Sequence, residues 1–360
     1  MVVVKTPGLL NRRMNKMLSR SAERVYWLGR YIERTEDSAR MLKAFTQVMM
    51  DIPKTHKLSW SMLLRILFAE HEFNKLYDVA SEKNVVNFLL ADIRNPNSIR
   101  SSIKAARENA RTSKDAIPTG AWEMLNDLNL FIKESVDDSI NRRGRYKFLS
   151  EVISRSLQFN GMIQNSLSRN QAYDFLQIGS MLERADMISR MLDVAAGILL
   201  RRDSSNTGSF DMLIWLEILK AQNGIQMYRS LNGPKIDPTK VLHFLLCRDD
   251  FPRSIKFCLT EIEVYASQLP DNDEVFEGWD LLLEQVNSFD ETKDVSPEFL
   301  QRYFDDIQKG IIQIHNGICH TWFPKIAEIV IEPEEDKTDE VNDESPMQVD
   351  EDLSQKQTQA

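Results

Sequence analysis

Two segments of this 360-residue chain repeat each other, and this repeat limits the possible folds more than any other feature. Residues 28–43 read LGRYIERTEDSARMLK, and residues 178–193 read IGSMLERADMISRMLD. A second block, at 86–103, matches residues 242–259, and the two blocks keep their order along the chain. The matched positions of the first block lie 150 residues apart: Gly29 and Gly179, Glu33 and Glu183, Arg34 and Arg184, Glu36 and Asp186, Arg40 and Arg190, and Leu42 and Leu192.

The preserved order of the blocks predicts a tandem duplication. We expect a first helical repeat at 17–166 and a second helical repeat at 167–331. The offset grows from 150 in the first block to 156 in the second, which places an insertion near 201–209. The sequence Asp-Ser-Ser-Asn-Thr-Gly in that segment is typical of a loop.

The spacing of apolar residues predicts helices throughout. Within 19–50, at ~100° per residue, nine apolar residues between Val25 and Met49 fall on one arc of a helix. No Asn-Gly or Asp-Gly flanked by alternating apolar runs occurs, and 13 glycines and 12 prolines are few for a fold rich in strands. We therefore predict an all-α fold, a tandem-duplicated helical bundle whose two pseudo-symmetric halves have four to five helices each and pack as one body. Further amphipathic stretches lie at 60–80, 97–115, 121–136 and 146–168.

Charge is concentrated at the two ends of the chain. The formal net charge is −9 at pH 7, and residues 332–360 alone contain eleven acidic residues and two lysines. Because that segment has few large apolar residues, we predict a disordered acidic tail. Residues 1–16 contain four basic residues and no acidic residue, which predicts a flexible basic extension. Everything before Glu332 is neutral overall, so no basic surface is left that nucleic-acid binding would require.

Cysteine content and hydropathy indicate the compartment. Cys247, Cys258 and Cys319 are an odd set without CxxC spacing, which argues against a disulfide framework and a zinc knuckle. No apolar stretch reaches the ~18 residues that a membrane span needs. The apolar pieces of residues 1–16 are shorter than the core of a secretory signal. We predict a cytoplasmic protein that binds neither a membrane nor nucleic acid.

Charged residues follow the repeated motif along one face of each predicted helix. Gly29, Glu33, Glu36 and Arg40 are spaced by four, three and four residues, so they share the face opposite the apolar arc. The second copy has the same spacing. We call the following candidate polar or ligand-binding residues the charged seam: Arg30, Glu33, Arg34, Glu36, Arg40, Glu183, Arg184, Asp186 and Arg190.

The charged seam has three interpretations. On a solvated face, Glu36–Arg40 and Asp186–Arg190 would form i,i+4 ion pairs that contribute ~0.3–0.5 kcal/mol each. In a buried cluster every charge must be paired, and each helix would offer carboxylates to the arginines of the other. In a polar pocket, Arg40 or Arg190 would bind a carboxylate or a phosphate through two hydrogen bonds.

Two glycines favour burial over a solvated face. Gly29 and Gly179 lie in mid-helix on the charged face, where each costs ~1 kcal/mol relative to alanine. A close approach of another backbone or of a ligand would explain that cost.

The residue pattern identifies no reaction, and the catalytic residues, if there are any, are unknown from sequence. Glu33/Glu36 and Glu183/Asp186 are i,i+3 carboxylate pairs, as in di-metal helical bundles. Those sites also use a histidine three residues after a glutamate, and none follows Glu33 or Glu183 at that distance. The neighbouring arginines would compete for the carboxylates, so we predict no metal and no other cofactor. No P-loop, GxGxxG, GxSxG or HExxH motif occurs.

Four long segments in order along the chain carry a family resemblance. They read MLSRSAERVYWLGRYIERTEDSARML (17–42), FLLADIRNPNSIRSSIKAARENAR (88–111), FLQIGSMLERADMISRMLDV (175–194) and FLLCRDDFPRSIKFCL (244–259). These segments resemble the alpha-E domain family, a family of all-helical bacterial proteins, and the resemblance covers about 17–330. Ser180 departs from the family pattern, since many relatives have arginine there, and the two charged ends fall outside the family core. The family-typical positions are Arg30, Glu33, Arg34, Glu36, Arg40, Glu183, Arg184 and Asp186.

The resemblance implies partners, but no reaction. Members of the family typically occur with, or fused to, a circularly permuted ATP-grasp protein, and often beside a transglutaminase-like peptidase. We therefore expect an accessory or partner protein of an ATP-grasp-type amide or peptide ligase. The alternative is an enzyme of peptide or amide chemistry with the carboxylates of Glu33 and Glu183 as its active site. An enzyme needs a concave pocket lined by the charged seam, whereas a partner protein needs exposed apolar surface elsewhere.

Overall fold

Fourteen α-helices and two short 3-10 helices form the regular structure in the computed structural model, which describes residues 17–51, 58–199, 210–276, 279–290 and 296–323. No strand occurs in these ranges. The first seven helices are α1 (Ser19–Asp51), α2 (Ser61–Ile66), α3 (Glu70–Asn74), α4 (Glu82–Leu90), α5 (Ile99–Arg111), α6 (Thr119–Ser135) and α7 (Arg142–Ser166). The other seven are α8 (Gln171–Leu199), α9 (Phe210–Ala221), α10 (Ile225–Asn232), α11 (Pro238–Cys247), α12 (Ile255–Ala266), α13 (Trp279–Asn287) and α14 (Pro297–Trp322). The 3-10 helices are Asp137–Ile140 and Asp273–Phe276.

The predicted all-α fold class is confirmed, but the predicted count of four to five helices per half is wrong. The described residues contain seven α-helices before residue 167 and seven after it. The amphipathic stretch at 60–80 contains two short helices, α2 and α3, with Phe68 between them at a left-handed φ of 52°. Helices as short as α3, with five residues, cover too few turns for a helical period to stand out in the sequence.

The two longest helices, α1 with 33 residues and α8 with 29, pack against each other at the centre of the described structure. α5, α7 and α9 also pack against α1, while α12 and α14 pack against α8. Because neighbours surround both central helices, each of them buries polar as well as apolar side chains. The helix predicted over 19–50 is confirmed as α1.

The apolar arc predicted for α1 lies in the core. Val25, Leu28, Ile32, Ala39 and Leu42 are all buried, and burial of each of the larger side chains contributes ~1.5–3 kcal/mol. All described residues fall within one compact unit. Within them, no helix combines the length and the apolar character that a bilayer crossing requires.

Three predictions made from the sequence concern residues outside the described ranges. They are the basic extension at 1–16, the loop at 201–209 and the acidic tail at 332–360.

The second repeated block begins two helices in the same way and brings its side chains to α1. Ser98 caps α5 and Ser254 caps α12, and each hydroxyl accepts a hydrogen bond from a backbone N–H in the first turn at 3.1 Å. The residue before each cap contacts a charged side chain of α1. Asn97 accepts a hydrogen bond from Arg34, and Arg253 donates hydrogen bonds to carboxylates of α1.

Candidate functional site

Glycine lets the two central helices touch at their crossing. A Cβ atom on Gly29 would lie 2.2 Å from the carbonyl oxygen of Leu176, and one on Gly179 would lie 2.1 Å from the carbonyl oxygen of Tyr26. Neither distance is possible for a real side chain. The close approach that the mid-helix glycines predicted is therefore confirmed, and it is an approach of backbone to backbone.

The two Glu-Arg dipeptides exchange ion pairs across this crossing. Glu33 accepts hydrogen bonds from Nε and Nη2 of Arg184 at 2.6 and 2.8 Å. Glu183 accepts hydrogen bonds from Nε and Nη2 of Arg34 at 2.6 and 2.9 Å. Glu33 is 0 % exposed and Glu183 is 3 % exposed. The expectation of a buried, paired cluster is confirmed, and the solvated-face interpretation is wrong at these two positions.

The opposite helix supplies one further hydrogen-bond donor to each glutamate carboxylate. Ser180 donates its hydroxyl proton to Oε2 of Glu33 at 2.9 Å, and Arg30 donates from Nε to Oε2 of Glu183 at 2.7 Å. Each carboxylate thus accepts three hydrogen bonds from the other central helix. Hydrogen bonds between ionised groups are about twice as strong as those between neutral groups, so this exchange ties α1 firmly to α8.

Around Glu33, an arginine from outside the central helices joins three carboxyl groups of α1. Arg253 donates from Nη2 to Glu36 at 2.6 Å and from Nη1 to Asp37 at 2.7 Å, and its Nη2 lies 3.3 Å from Glu33. Arg40 donates from Nε to Glu36 at 2.8 Å. We call this group the Glu33 cluster; it has three carboxylates and three guanidinium groups: Glu33, Glu36, Asp37, Arg40, Arg184 and Arg253.

Around Glu183, the charge balance is different. Arg190 donates to Asp186 from Nε at 2.9 Å, and Asn97 stands beside Arg34 and accepts from its Nη1 at 2.8 Å. We call this group the Glu183 cluster; it has two carboxylates and three guanidinium groups: Arg30, Arg34, Glu183, Asp186 and Arg190. A cavity of about 140 Å³ adjoins it.

The arginines keep both central glutamates ionised. Burial by itself would raise the pKa of Glu33, but the charges of Arg184 and Arg253 outweigh burial and lower this pKa to about 2. The same balance, with Arg34 and Arg30 as the cations, lowers the pKa of Glu183 to about 2. Neither carboxyl group can therefore act as a general acid near neutral pH.

The pKa of Asp37 shifts in the opposite direction. Burial raises its pKa to about 7, and although Arg253 opposes the rise, the neighbouring charges of Glu33 and Glu36 add to it. Among the described residues, its Oδ2 atom has no hydrogen-bond partner. The Glu33 cluster thus contains one carboxyl group that takes up a proton near neutrality.

A histidine from α14 extends the network. Nδ1 of His315 lies 2.7 Å from the hydroxyl of Tyr26 and 3.2 Å from Nη1 of Arg30. Because a guanidinium group can only donate, Nδ1 accepts and the imidazole is neutral. Burial, together with the positive charge of Arg30, lowers the pKa of His315 to about 4.

All nine residues of the charged seam lie in these two clusters, but sequence reasoning missed several of their partners. Asp37 follows Glu36 directly, yet its counterpart in the second repeat is Met187, so the repeat gave no signal for it. Arg253 and Asn97 occupy matched positions of the second repeated block, which was the available signal. His315 lies on α14, outside both matched blocks. In the described ranges, no group of three or more histidine, cysteine, aspartate or glutamate residues is arranged to hold a metal ion.

Comparison with known proteins gives a family and no individual relative. No curated protein and no solved structure matches the chain. The Alpha-E family model matches residues 17–323, and the family is described as a predicted alpha-helical domain with a conserved ER motif. Glu33-Arg34 and Glu183-Arg184 are two such Glu-Arg dipeptides, and they form the ion pairs at the helix crossing. The match covers most of the sequence and agrees with the all-helical structure, so the chain belongs to the Alpha-E family.

Proposed function

We propose that this chain is an accessory protein, the partner of an ATP-grasp-type amide or peptide ligase, and that the exchanged Glu-Arg pairs are structural. The observation that supports this proposal most is the state of Glu33 and Glu183. Both are buried, both are ionised with a pKa of about 2, and each accepts three hydrogen bonds from the opposite helix. A general acid needs a raised pKa and a nucleophile needs an accessible oxygen atom, so these carboxylates do not favour the alternative of an enzyme with Glu33 and Glu183 as its active site.

We also infer that a tandem duplication produced the crossing, with a pseudo-twofold axis between α1 and α8. The contacts support this inference because they occur in matched pairs. Glu33 binds Arg184 while Glu183 binds Arg34. Gly29 meets the backbone of Leu176 while Gly179 meets that of Tyr26, and these two contacted residues are themselves 150 positions apart.

Two substitutions within the repeats account for the unequal clusters under this inference. Arg30 of the first repeat corresponds to Ser180 of the second, and Asn97 corresponds to Arg253. The second cation near Glu183 therefore comes from α1 itself, whereas the second cation near Glu33 comes from the residue before the cap of α12.

The identity of the partner is proposed from the family resemblance. A circularly permuted ATP-grasp protein is the first candidate, a transglutaminase-like peptidase is a second, and the proposed location is the cytoplasm. The described surface supports a partner role in one respect. Leu281, Phe299 and Ile312 expose large apolar side chains on α13 and α14, which do not carry the charged seam.

Co-expression with a circularly permuted ATP-grasp protein from the same organism tests this proposal. We expect a stable complex in size-exclusion chromatography with light scattering, and a higher rate of ATP-dependent amide formation in the complex than in the ligase alone. Leu281→Glu should weaken the complex, while Val79→Glu, at an exposed apolar residue elsewhere on the surface, serves as the control. Separate elution of the two proteins together with an unchanged ligase rate would contradict the partner role.

A further inference from the structure

The cavity beside the Glu183 cluster lies between α1, α8 and two connecting segments. Its volume of about 140 Å³ is several times the ~30 Å³ that one water molecule occupies in the liquid. Leu67 and Ala69 line one side, and Asn95 and Asn97 line another. The charged and hydroxyl groups that line it are Arg30, Arg34, Ser38, Glu183, Asp186 and Arg190.

Two of these arginines keep donors that no protein group uses. Arg30 donates from Nε to Glu183 and from Nη1 towards Tyr26 and His315. Arg190 engages Asp186 through Nε and Nη2. In the part of the chain that the structure describes, Nη2 of Arg30 and Nη1 of Arg190 donate to no protein atom. Arg30 is 8 % exposed and the side chain of Arg190 is 25 % exposed, so both donors remain available to an acceptor in the cavity.

Ser38 is the third group without a partner. It is only 6 % exposed, and its hydroxyl makes no hydrogen bond to any of the described residues. Other hydroxyls of α1 are satisfied within the helix, since Thr35 and Thr46 each donate to the carbonyl oxygen four residues earlier, at 2.8 and 2.7 Å. Ser38 does not make that bond although it lies on the same helix, and it lines the cavity instead.

The charges around the cavity do not balance. The Glu183 cluster has three guanidinium groups and two carboxylates, so one positive charge is left without a counter-charge at the cavity wall. The Glu33 cluster has three of each when Asp37 is ionised, and it includes Arg253, which matches Asn97 in the repeated block. A charge in a buried wall is stable only when it is paired, and here the missing partner is a single negative charge.

We propose that this cavity binds a small carboxylate, held by Arg30, Arg190 and Ser38. A carboxylate carries the one negative charge that the wall lacks, and its two oxygen atoms suit the paired N–H groups of a guanidinium. A phosphate group would carry about −1.5 to −2 charges at neutral pH and would leave the cavity negative. This assignment is independent of the proposed ligase partnership, because it depends only on the cavity and its wall.

Titration of the purified full chain with sodium acetate, at ionic strength held constant with sodium chloride, tests the assignment by calorimetry and by thermal stability. We expect saturable acetate binding that raises the melting temperature. Arg190→Gln should weaken binding at least tenfold, because it removes a charged donor. Arg40→Gln is the matched control, since Arg40 forms the equivalent i,i+4 pair with Glu36 but does not line the cavity. Absence of saturable acetate binding, or equal loss in both variants, would overturn the proposal.

A second variant tests the charge argument without removing an ion pair. Asn97 is exposed, and its side chain already accepts a hydrogen bond from Arg34, so Asn97→Asp supplies the missing negative charge within the wall. We expect this variant to fold normally and to bind acetate at least tenfold more weakly. Ser38→Ala should weaken binding about threefold to tenfold through loss of one hydrogen bond. Undiminished binding by Asn97→Asp, or tighter binding of inorganic phosphate than of acetate, would contradict the carboxylate assignment.

Discussion

The Glu33 cluster and the Glu183 cluster share one arrangement but differ in how completely protein groups close it. In both, a glutamate accepts two hydrogen bonds from the arginine of the opposite Glu-Arg dipeptide. At Glu33, Arg253 adds a cation that contacts all three carboxyl groups of the cluster. At Glu183, Asn97 stands in the corresponding place and a cavity remains. The shared part therefore holds the two helices together, and the difference leaves Glu183 itself, unlike Glu33, in the lining of a described cavity.

The largest expected effect is the loss of one central carboxylate charge. We expect Glu33→Gln to destabilise the protein by ~3–5 kcal/mol, because it leaves Arg184 and Arg253 short of a counter-charge in a closed environment. Glu183→Gln should also be destabilising but less so, since water in the cavity can solvate Arg30 and Arg34. Chemical denaturation at pH 7 measures the loss of stability in both variants. Equal effects would remove the distinction between a closed and an open cluster.

The second-largest expected loss of stability comes from the glycine contact between α1 and α8, the two helices that both clusters connect. Gly29→Ala and Gly179→Ala should each cost about 3 kcal/mol, because the added Cβ meets backbone atoms that cannot move separately from their helix. Gly161→Ala is the control, since nothing lies within 4 Å of its Cβ position in α7, and alanine there should stabilise the helix by up to ~1 kcal/mol. Thermal unfolding measures the stability of each of the three variants relative to the wild-type protein. A neutral result at either central glycine would argue against direct backbone contact.

Asp37 predicts a pH dependence of the Glu33 cluster alone. Its pKa is about 7 in the folded protein and lies at the ordinary value of 3.8 in the unfolded chain. Between about pH 4 and pH 7 the folded state therefore retains a proton that the unfolded state has lost, so the contribution of Asp37 to stability falls as pH rises. The contributions of Glu33 and Glu183 to stability depend on pH in the opposite sense. They are lost as pH falls from about 4.5 to about 2.

Comparison of the wild-type protein with Asp37→Asn isolates this effect. We expect the wild-type protein to lose ~3–4 kcal/mol more than the variant between pH 4 and pH 7, since each unit of pKa difference corresponds to ~1.4 kcal/mol. Denaturation curves across this range provide the measurement. Parallel pH profiles for the two proteins would show that Asp37 does not carry the proton.

The smallest expected effect compares one serine from each cluster. Ser180→Ala removes the hydrogen bond to Glu33 at 2.9 Å and should cost about 1 kcal/mol. Ser38→Ala removes a hydroxyl without a partner among the described residues and should change stability by less than ~0.5 kcal/mol in acetate-free buffer. Thermal unfolding of both variants side by side is sufficient. A larger loss at Ser38 than at Ser180 would reverse the predicted contrast.

Much of this arrangement could be predicted from sequence because it lies on two long helices. The 33 residues of α1 show the helical period over many turns, and the mid-helix positions of Gly29 and Gly179 indicated a close approach. The exchange of partners between Glu33-Arg34 and Glu183-Arg184 was expected as one of three interpretations. Sequence could not choose among them, since the burial of a helix face depends on neighbours such as α5, α7 and α12.

The remaining parts depend on tertiary contacts that leave little trace in the sequence. Arg253 lies 217 residues from Glu36, and only the capped start of α12 brings the two together. The cavity is lined by residues of four separate segments of the chain, from Arg30 to Arg190, which no sequence pattern links. The helix count was wrong for a different reason: α2 and α3, with six and five residues, are too short to be separated by periodicity.

Exchanged Glu-Arg pairs couple α1 to α8, and double-mutant cycles on Glu33–Arg184 and Glu183–Arg34 measure this coupling. Each glutamate is changed to glutamine and each arginine to methionine, singly and together, and the coupling free energy is taken from chemical denaturation. The partly exposed i,i+4 pair Glu151–Arg155 in α7 is the control, with an expected coupling of ~0.3–0.5 kcal/mol. We predict couplings of about 2 kcal/mol or more for both buried pairs. Couplings no larger than that of the control would contradict the claim.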